Sequence, residues 1–197
     1  AFQDAANAGK VRVLLSAEVG QAGAKPAPFT IGFILFDREG RIVASGSDKR
    51  TLTPVDGRDN TPLEYLATAA VDPGLYTLRF GVVDEQGRRG SVVRDVRAWK
   101  TTGEEFTVGD LIVGNPIGTD LKTGLAESVR PQVEPRIYDN HVGVYAELYA
   151  AERASFEGTS VSIEIAEDQE SAALATLPAH FSSTPRPTTI VASCGAT

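Results

Sequence analysis

The chain is poor in the residues from which most metal and catalytic sites are built. It has one cysteine, Cys194, and two histidines, His141 and His180. A lone cysteine excludes an internal disulfide. A zinc site needs three or four ligands, and this set, scattered along the chain, does not suggest one. No cofactor is expected. No apolar run approaches the ~20 residues of a membrane helix. The longest, "IGFILF", has the length of a strand, so no membrane insertion is expected. The opening "AFQDAANAGK" has neither the basic start nor the apolar middle of a signal peptide. A basic stripe is also missing. The formal charge is −7, which argues against nucleic acid as a partner. The densest cationic stretch, Arg88, Arg89, Arg94 and Arg97, alternates with Asp84, Glu85 and Asp95 and reads as solvated strand edges.

Catalytic patterns are lacking too. There is no G-x-S-x-G elbow. "VGNPIGTDLKTG" has glycines and a lysine without the spacing of a phosphate loop. The acid pairs Glu104-Glu105 and Asp168 with Glu170 read as solvated turns, because sequence spacing alone cannot set a glycosidase separation. His141 lies beside Asp139 and Asn140 in a turn-like position. No catalytic residue and no small-molecule substrate are indicated.

What is present is β-structure. Hydrophobic residues make up 42% and charged residues 23%, an ordinary composition for a chain with a packed core. Val11, Val13, Leu15, Ala17 and Val19 keep the period of a half-buried strand. "FTIGFILF" is apolar nearly throughout, which places it centrally in a sheet. "RIVASGS" pairs back to it through "DREG". "LEYLATAAV", "LYTLRFGVV" and "SVVRDVRAW" follow. This makes about seven strands in the first hundred residues, at the spacing of a sandwich. Thr61-Pro62-Leu63-Glu64 also has the form of a helix start. Period two and the short distance to Asp72-Pro73-Gly74 favour a strand there.

"FDREGR" and "VDEQGR" echo each other. Both place an aspartate three before a glycine and four before an arginine. A hairpin loop with a left-handed glycine accounts for Asp37 with Gly40 and for Asp84 with Gly87. A metal reading of these loops supplies too few oxygens for calcium. The best cation candidate is "TPVDGRDN", with Asp56, Asp59 and Asn60 in one loop.

"KTTGEEF" reads as a junction. The second block offers four or five strands, from "TVGDLIVG", "VEPRIY", "HVGVYAELYA", "TSVSIEIAED" and "TIVASC". "AERASFEG" would join the third and fourth as a hairpin. "FSSTPRPTT" reads as loop or disordered chain. With so few strands this domain is expected to be incomplete, or completed by a strand from another chain. Tyr145 and Tyr149 share a strand face with Glu147 between them, and the glutamate suggests that this face meets solvent. They are the weak candidate for a carbohydrate platform, with Tyr138 nearby.

Asp72-Pro73-Gly74-Leu75-Tyr76 resembles the tyrosine corner of immunoglobulin-like and fibronectin type III-like sandwiches. The resemblance implies that the Tyr76 hydroxyl bonds a backbone group upstream and that Gly74 fits a tight corner. Leu78 stands where the antibody-type motif has cysteine. A wider resemblance is carried by "GKVRVLLSAEVG", "IGFILFDREGRIVAS", "DPGLYTLRFGVVDEQGRRGSVVRDVRAW" and "RPQVEPRIYDNHVGVYAELY". To about Ala175 these look like the region after the von Willebrand factor A domain in exported bacterial proteins of acidobacterial type. The final "PAHFSSTPRPTTIVASCGAT" departs from it, and no D-x-S-x-S metal motif of the A domain itself is present. The resemblance implies an extracytoplasmic location, as part of a longer or processed precursor.

The expectation is therefore an all-β protein of two tandem sandwiches. Residues 1–9 are a tail, 10–99 the first sandwich, 100–105 a linker, and 106–197 the second, with an irregular tail from about 178. The expected role is non-enzymatic, with a protein partner or self-association.

Overall fold

The computed structural model describes residues 1–4, 6–54, 61–99, 106–116, 129–133, 143–150, 156, 158–185 and 190–195, and only the backbone at 180–185 and 190–195. The chain divides into two compact units, Ala1–Lys100 and Thr101–Thr197. It is all-β, in antiparallel sheets that do not close into a barrel, and the described residues include no α-helix. None of the described residues forms a helix long and apolar enough to cross a membrane.

Seven strands build the first unit: β1 (Phe2–Gln3), β2 (Val11–Val19), β3 (Ala27–Phe36), β4 (Ile42–Leu52), β5 (Leu63–Val71), β6 (Gly74–Asp84) and β7 (Arg89–Ala98). One sheet has the order β1-β2-β5 and the other β4-β3-β6-β7. The alternation read in β2 is real. Val11, Val13, Leu15 and Val19 are buried and join a single core with Leu63, Tyr65, Ala69 and Val71 of β5. Ile31, Phe33 and Leu35 of β3 and Tyr76 and Phe80 of β6 close that core from the other sheet. β3 is central in its sheet, between β4 and β6. Its apolar run has a simple origin, because the odd positions fill the core and Ile34 and Phe36 stay half-buried on the outward face.

The residues expected as a tail are partly a strand. β1 pairs with β2, and Phe2 and Gln3 are buried. A large aromatic two residues from the end recovers more by burial than the ordering of two residues costs.

The second unit has β8 (Thr107–Val108), β9 (Ile112–Pro116), β10 (Val129–Pro131), β11 (Gly143–Ala150), β12 (Ser162–Ile165), β13 (Ala175–Pro178), β14 (His180–Pro185) and β15 (Ile190–Gly195). β11 holds β15 on one edge and β9, then β8, on the other. β10 and β14 extend the sheet at its two sides. All eight residues of β11 are buried.

Three expectations fail here. The described residues of this unit already hold eight strands, not four or five. β11 and β12 do not pair as a hairpin; β12 pairs with β13 instead. The supposed tail from about 178 contains β14 and β15, so "FSSTP" is strand and not loop. The chain there hides its pairing, because Ser, Thr and Pro carry no apolar alternation and register comes from the partner. A further strand not read from the sequence is Val129–Pro131, and the expectation at "VEPRIY" falls outside the described residues from 134 to 138.

Gly46 of β4 lies opposite Phe33. A Cβ there would stand 2.6 Å from Phe33 Cε1, and the Phe33 ring is held in the core. Gly46→Ala should therefore lower stability by roughly 1–3 kcal/mol through overpacking. Chemical denaturation of the purified chain measures this, and an unchanged midpoint would show that the ring moves freely.

Candidate functional site

The corner between β5 and β6 forms as the resemblance implied. The Tyr76 hydroxyl donates to the Asp72 carbonyl at 2.6 Å. Burial, and after it the Asp72 carboxylate, holds the phenol's pKa above its ordinary value, so it remains a donor. Gly74 is needed for space and not for a left-handed backbone. A Cβ there would lie 3.3 Å from the Tyr76 hydroxyl oxygen and 3.4 Å from Cζ. The Asp72 carboxylate takes no part in the corner. It meets Lys10 Nζ at 2.9 Å with 73% of its side chain exposed, a surface pair of small energetic weight. The acid, glycine and phenol are a folding device, and only the carbonyl of the acid is used.

The two echoing loops are the same structure built twice. In each, the aspartate N–H donates to the arginine carbonyl, at 3.0 Å, and the glycine N–H to the aspartate carbonyl, at 3.1 Å. Asp37 Oδ1 accepts the N–H groups of Glu39 and Arg41, and its Oδ2 accepts Arg41 Nε at 2.7 Å. Asp84 does the same with Gln86 and Arg88. Gly40 and Gly87 sit at φ of +77° and +78°, the left-handed region that glycine occupies without strain. Partial desolvation raises the pKa of both aspartates. The bonds from Arg41 and Arg88 and the neighbouring N–H groups outweigh it, so both lie below the ordinary 3.8. Both oxygens of each carboxylate are engaged within the turn itself.

Tyr145 and Tyr149 correct the sequence reading most sharply. Both rings are buried at 1% exposure, and so is Glu147 between them. Each phenol donates to a different oxygen of that carboxylate, both at 2.6 Å. The face does not meet solvent, and no aromatic platform exists there. β11 has partners on both edges and side chains covering both faces, so a polar residue on it must find its partner inside. The signal was in the sequence as Tyr-x-Glu-x-Tyr at period two, two donors flanking one two-oxygen acceptor.

Asp56, Asp59 and Asn60 lie outside the described residues, as do Tyr138 and His141. The described residues show no group of three or more His, Cys, Asp or Glu placed to hold a metal. Asp168 Oδ1 accepts the N–H groups of Glu170 and Ser171, so this acid pair is a turn.

Sequence reasoning missed the outward face of β4-β3-β6-β7. Ile34 pairs with Arg79, and Arg79 with Val93, in one row across the sheet. The next row holds Phe36, Thr77 and Asp95. Val93 is 55% exposed and Ile42 60% exposed, with Val43 and Leu75 also open. The Arg79 guanidinium lies over the Phe36 ring, 5.2 Å from its centroid. The face thus presents apolar side chains between cations and an acid, on a sheet whose other side is already the core. A signal existed in "FTIGFILF", where Ile34 and Phe36 are apolar at even positions beside the apolar odd ones.

A concavity lies where the β2–β3 loop meets the β6–β7 turn, with a volume of about 670 Å³. No family model matches the chain, and no curated protein and no solved structure matches it.

Two outcomes test the geometry. Tyr76→Phe should cost about 1–3 kcal/mol, the value of a lost buried hydrogen bond. A melting temperature equal to that of the parent chain would remove the corner's role. Asp37 and Asp84 have folded pKa values below their unfolded ones. Their contribution is therefore full above the unfolded value and is lost as pH falls through the lower, folded one. Stability of the parent chain should decline on acidification below about pH 4. The double variant Asp37→Asn/Asp84→Asn should be less stable at neutral pH and flatter across that acid window, as read by thermal melts against pH.

Proposed function

We propose that this chain is a non-enzymatic interaction module of an extracytoplasmic bacterial protein. Its first unit is taken to be a fibronectin type III-like or immunoglobulin-like sandwich. The three-plus-four strand arrangement supports that reading, as does a tyrosine corner at the start of β6. The likeness to the region after a von Willebrand factor A domain supports export and a place in a longer protein. Sandwich folds host many functions, so the functional reading rests on a surface and not on the fold.

The observation that carries it is the outward face of β4-β3-β6-β7. Val93, Ile42, Val43 and Leu75 are exposed together with half-buried Ile34 and Phe36, bordered by Arg79, Asp95 and Arg97. Exposed apolar side chains interspersed with a few charges are the composition of a protein contact. The partner is a protein with an apolar ridge, and Arg79 and Arg97 favour carboxylates at its margin. The single Asp95 leaves this face net cationic, while the chain as a whole is net acidic.

Site-specific photocrosslinking in the producing cell tests this reading. A crosslinking residue at 42 or 93 should give one discrete adduct, identified by mass spectrometry. The same residue at exposed Thr68, on the other sheet, should give none. Protease added to intact cells should degrade the chain if it lies outside the cytoplasm. Adducts independent of position, or none at 42 and 93, would overturn the outward face as the contact.

A further inference from the structure

The two units carry opposite charge. Residues 1–100 have 14 Lys and Arg against 12 Asp and Glu, a net +2. Residues 101–197 have 5 against 14, a net −9. Two places concentrate this difference. One is the cleft between the β2–β3 loop and the β6–β7 turn. Phe29, Leu63 and Val82 line it, with Lys25, Arg88 and Arg89 among its polar residues. Asp84 also lines it and is paired with Arg88, so Lys25 and Arg89 leave the cleft with a net positive charge. Its volume of about 670 Å³ falls within the ~300–1,000 Å³ span of ligand clefts.

The other place is the ribbon formed by β12 and β13. Among the described residues these two strands pair only with each other. A two-stranded ribbon is marginal in water without a covering layer. Ile163 and Ile165 stand opposite Leu177 and Ala175, which puts four apolar side chains on one face. Ile165, Leu177 and the adjoining Leu174 are exposed, Leu174 at 70%. The connection between the strands carries Glu167, Asp168 and Glu170, all exposed. Asp168 holds this acidic tip in shape by accepting the N–H groups of Glu170 and Ser171.

We propose that the acidic, apolar-sided β12–β13 ribbon of one copy docks into the basic, apolar-floored cleft of a second copy. The ribbon brings exposed leucines and three carboxylates. The cleft brings apolar lining residues and two cations, Lys25 and Arg89, beside the Arg88–Asp84 pair. The contact joins two different patches, so it is heterologous, and copies add head to tail. This surface is separate from the outward sheet face, and the proposal does not depend on that face binding anything.

Light scattering coupled to size exclusion, over a range of protein concentration, tests it on the full chain. The chain should associate as concentration rises, and salt should weaken the association by screening. Lys25→Glu/Arg89→Glu alters only the cleft, and Glu167→Lys/Glu170→Lys only the ribbon. Each should weaken association by roughly tenfold or more. Their exposed positions should leave the melting temperature unchanged. Mixed together, the acidic cleft of one variant meets the basic ribbon of the other, and association should return. A monomer at all concentrations overturns the proposal. So does association that survives both reversals, or a mixture that fails to restore it while both variants remain folded.

Discussion

One hydrogen bond decides how the first unit is put together. Where β5 ends and β6 begins, the chain must leave one sheet and start the other within three residues. The Tyr76 hydroxyl bonds the Asp72 carbonyl across that step, while the Tyr76 ring fills the core end next to Gly74. The bond satisfies a carbonyl at a corner where no strand partner is available. Because β6 lies between β3 and β7, the placement of its first residues sets the register of the larger sheet. The inward positions Ile31, Phe33, Leu35 and Phe80 then face the β2 and β5 side chains.

The same economy of local bonding recurs at the hairpins. Asp37 and Asp84 each gather two backbone N–H groups and one arginine, so that two turns are fixed by one recipe. Inside the second unit the problem is reversed. Glu147 is a carboxylate without access to water, and the two tyrosines on its own strand supply the donors. An acid in such a position must be bonded at both oxygens to be tolerated. Its conspicuous chemistry therefore belongs to the architecture of β11. The same holds for the acid and phenol at the corner. In both cases a constellation that looks like a site in one dimension is a means of satisfying buried polar atoms in three.

The function proposed here rests instead on surfaces that look unremarkable in sequence. The outward face of the larger sheet is apolar because β3 has hydrophobic residues on both sides of its pleat. The cleft beside the β6–β7 turn is basic because Lys25, distant in sequence, and Arg89 line it together, beside the paired Arg88 and Asp84. Both belong to the first unit, which is net cationic within an acidic chain.

The sequence by itself determined the all-β class, the division near residue 100, six of the seven strands of the first unit, the paired aspartate loops and the corner. Each rests on a local code: period two, a left-handed glycine, or an aspartate beside its own turn. A few residues suffice to state such a code, and neighbours in sequence carry it out. Tertiary structure alone decided the rest. It buried Tyr145, Glu147 and Tyr149, drew Phe2 into an edge strand, and made strands of the Ser-, Thr- and Pro-rich segment that pairs with β15. It also sent β12 to β13 and left their ribbon exposed. Those outcomes depend on which strand lies alongside and whether a second layer covers a face. Pairing partners far apart in sequence set both, and no periodicity within a single strand records them.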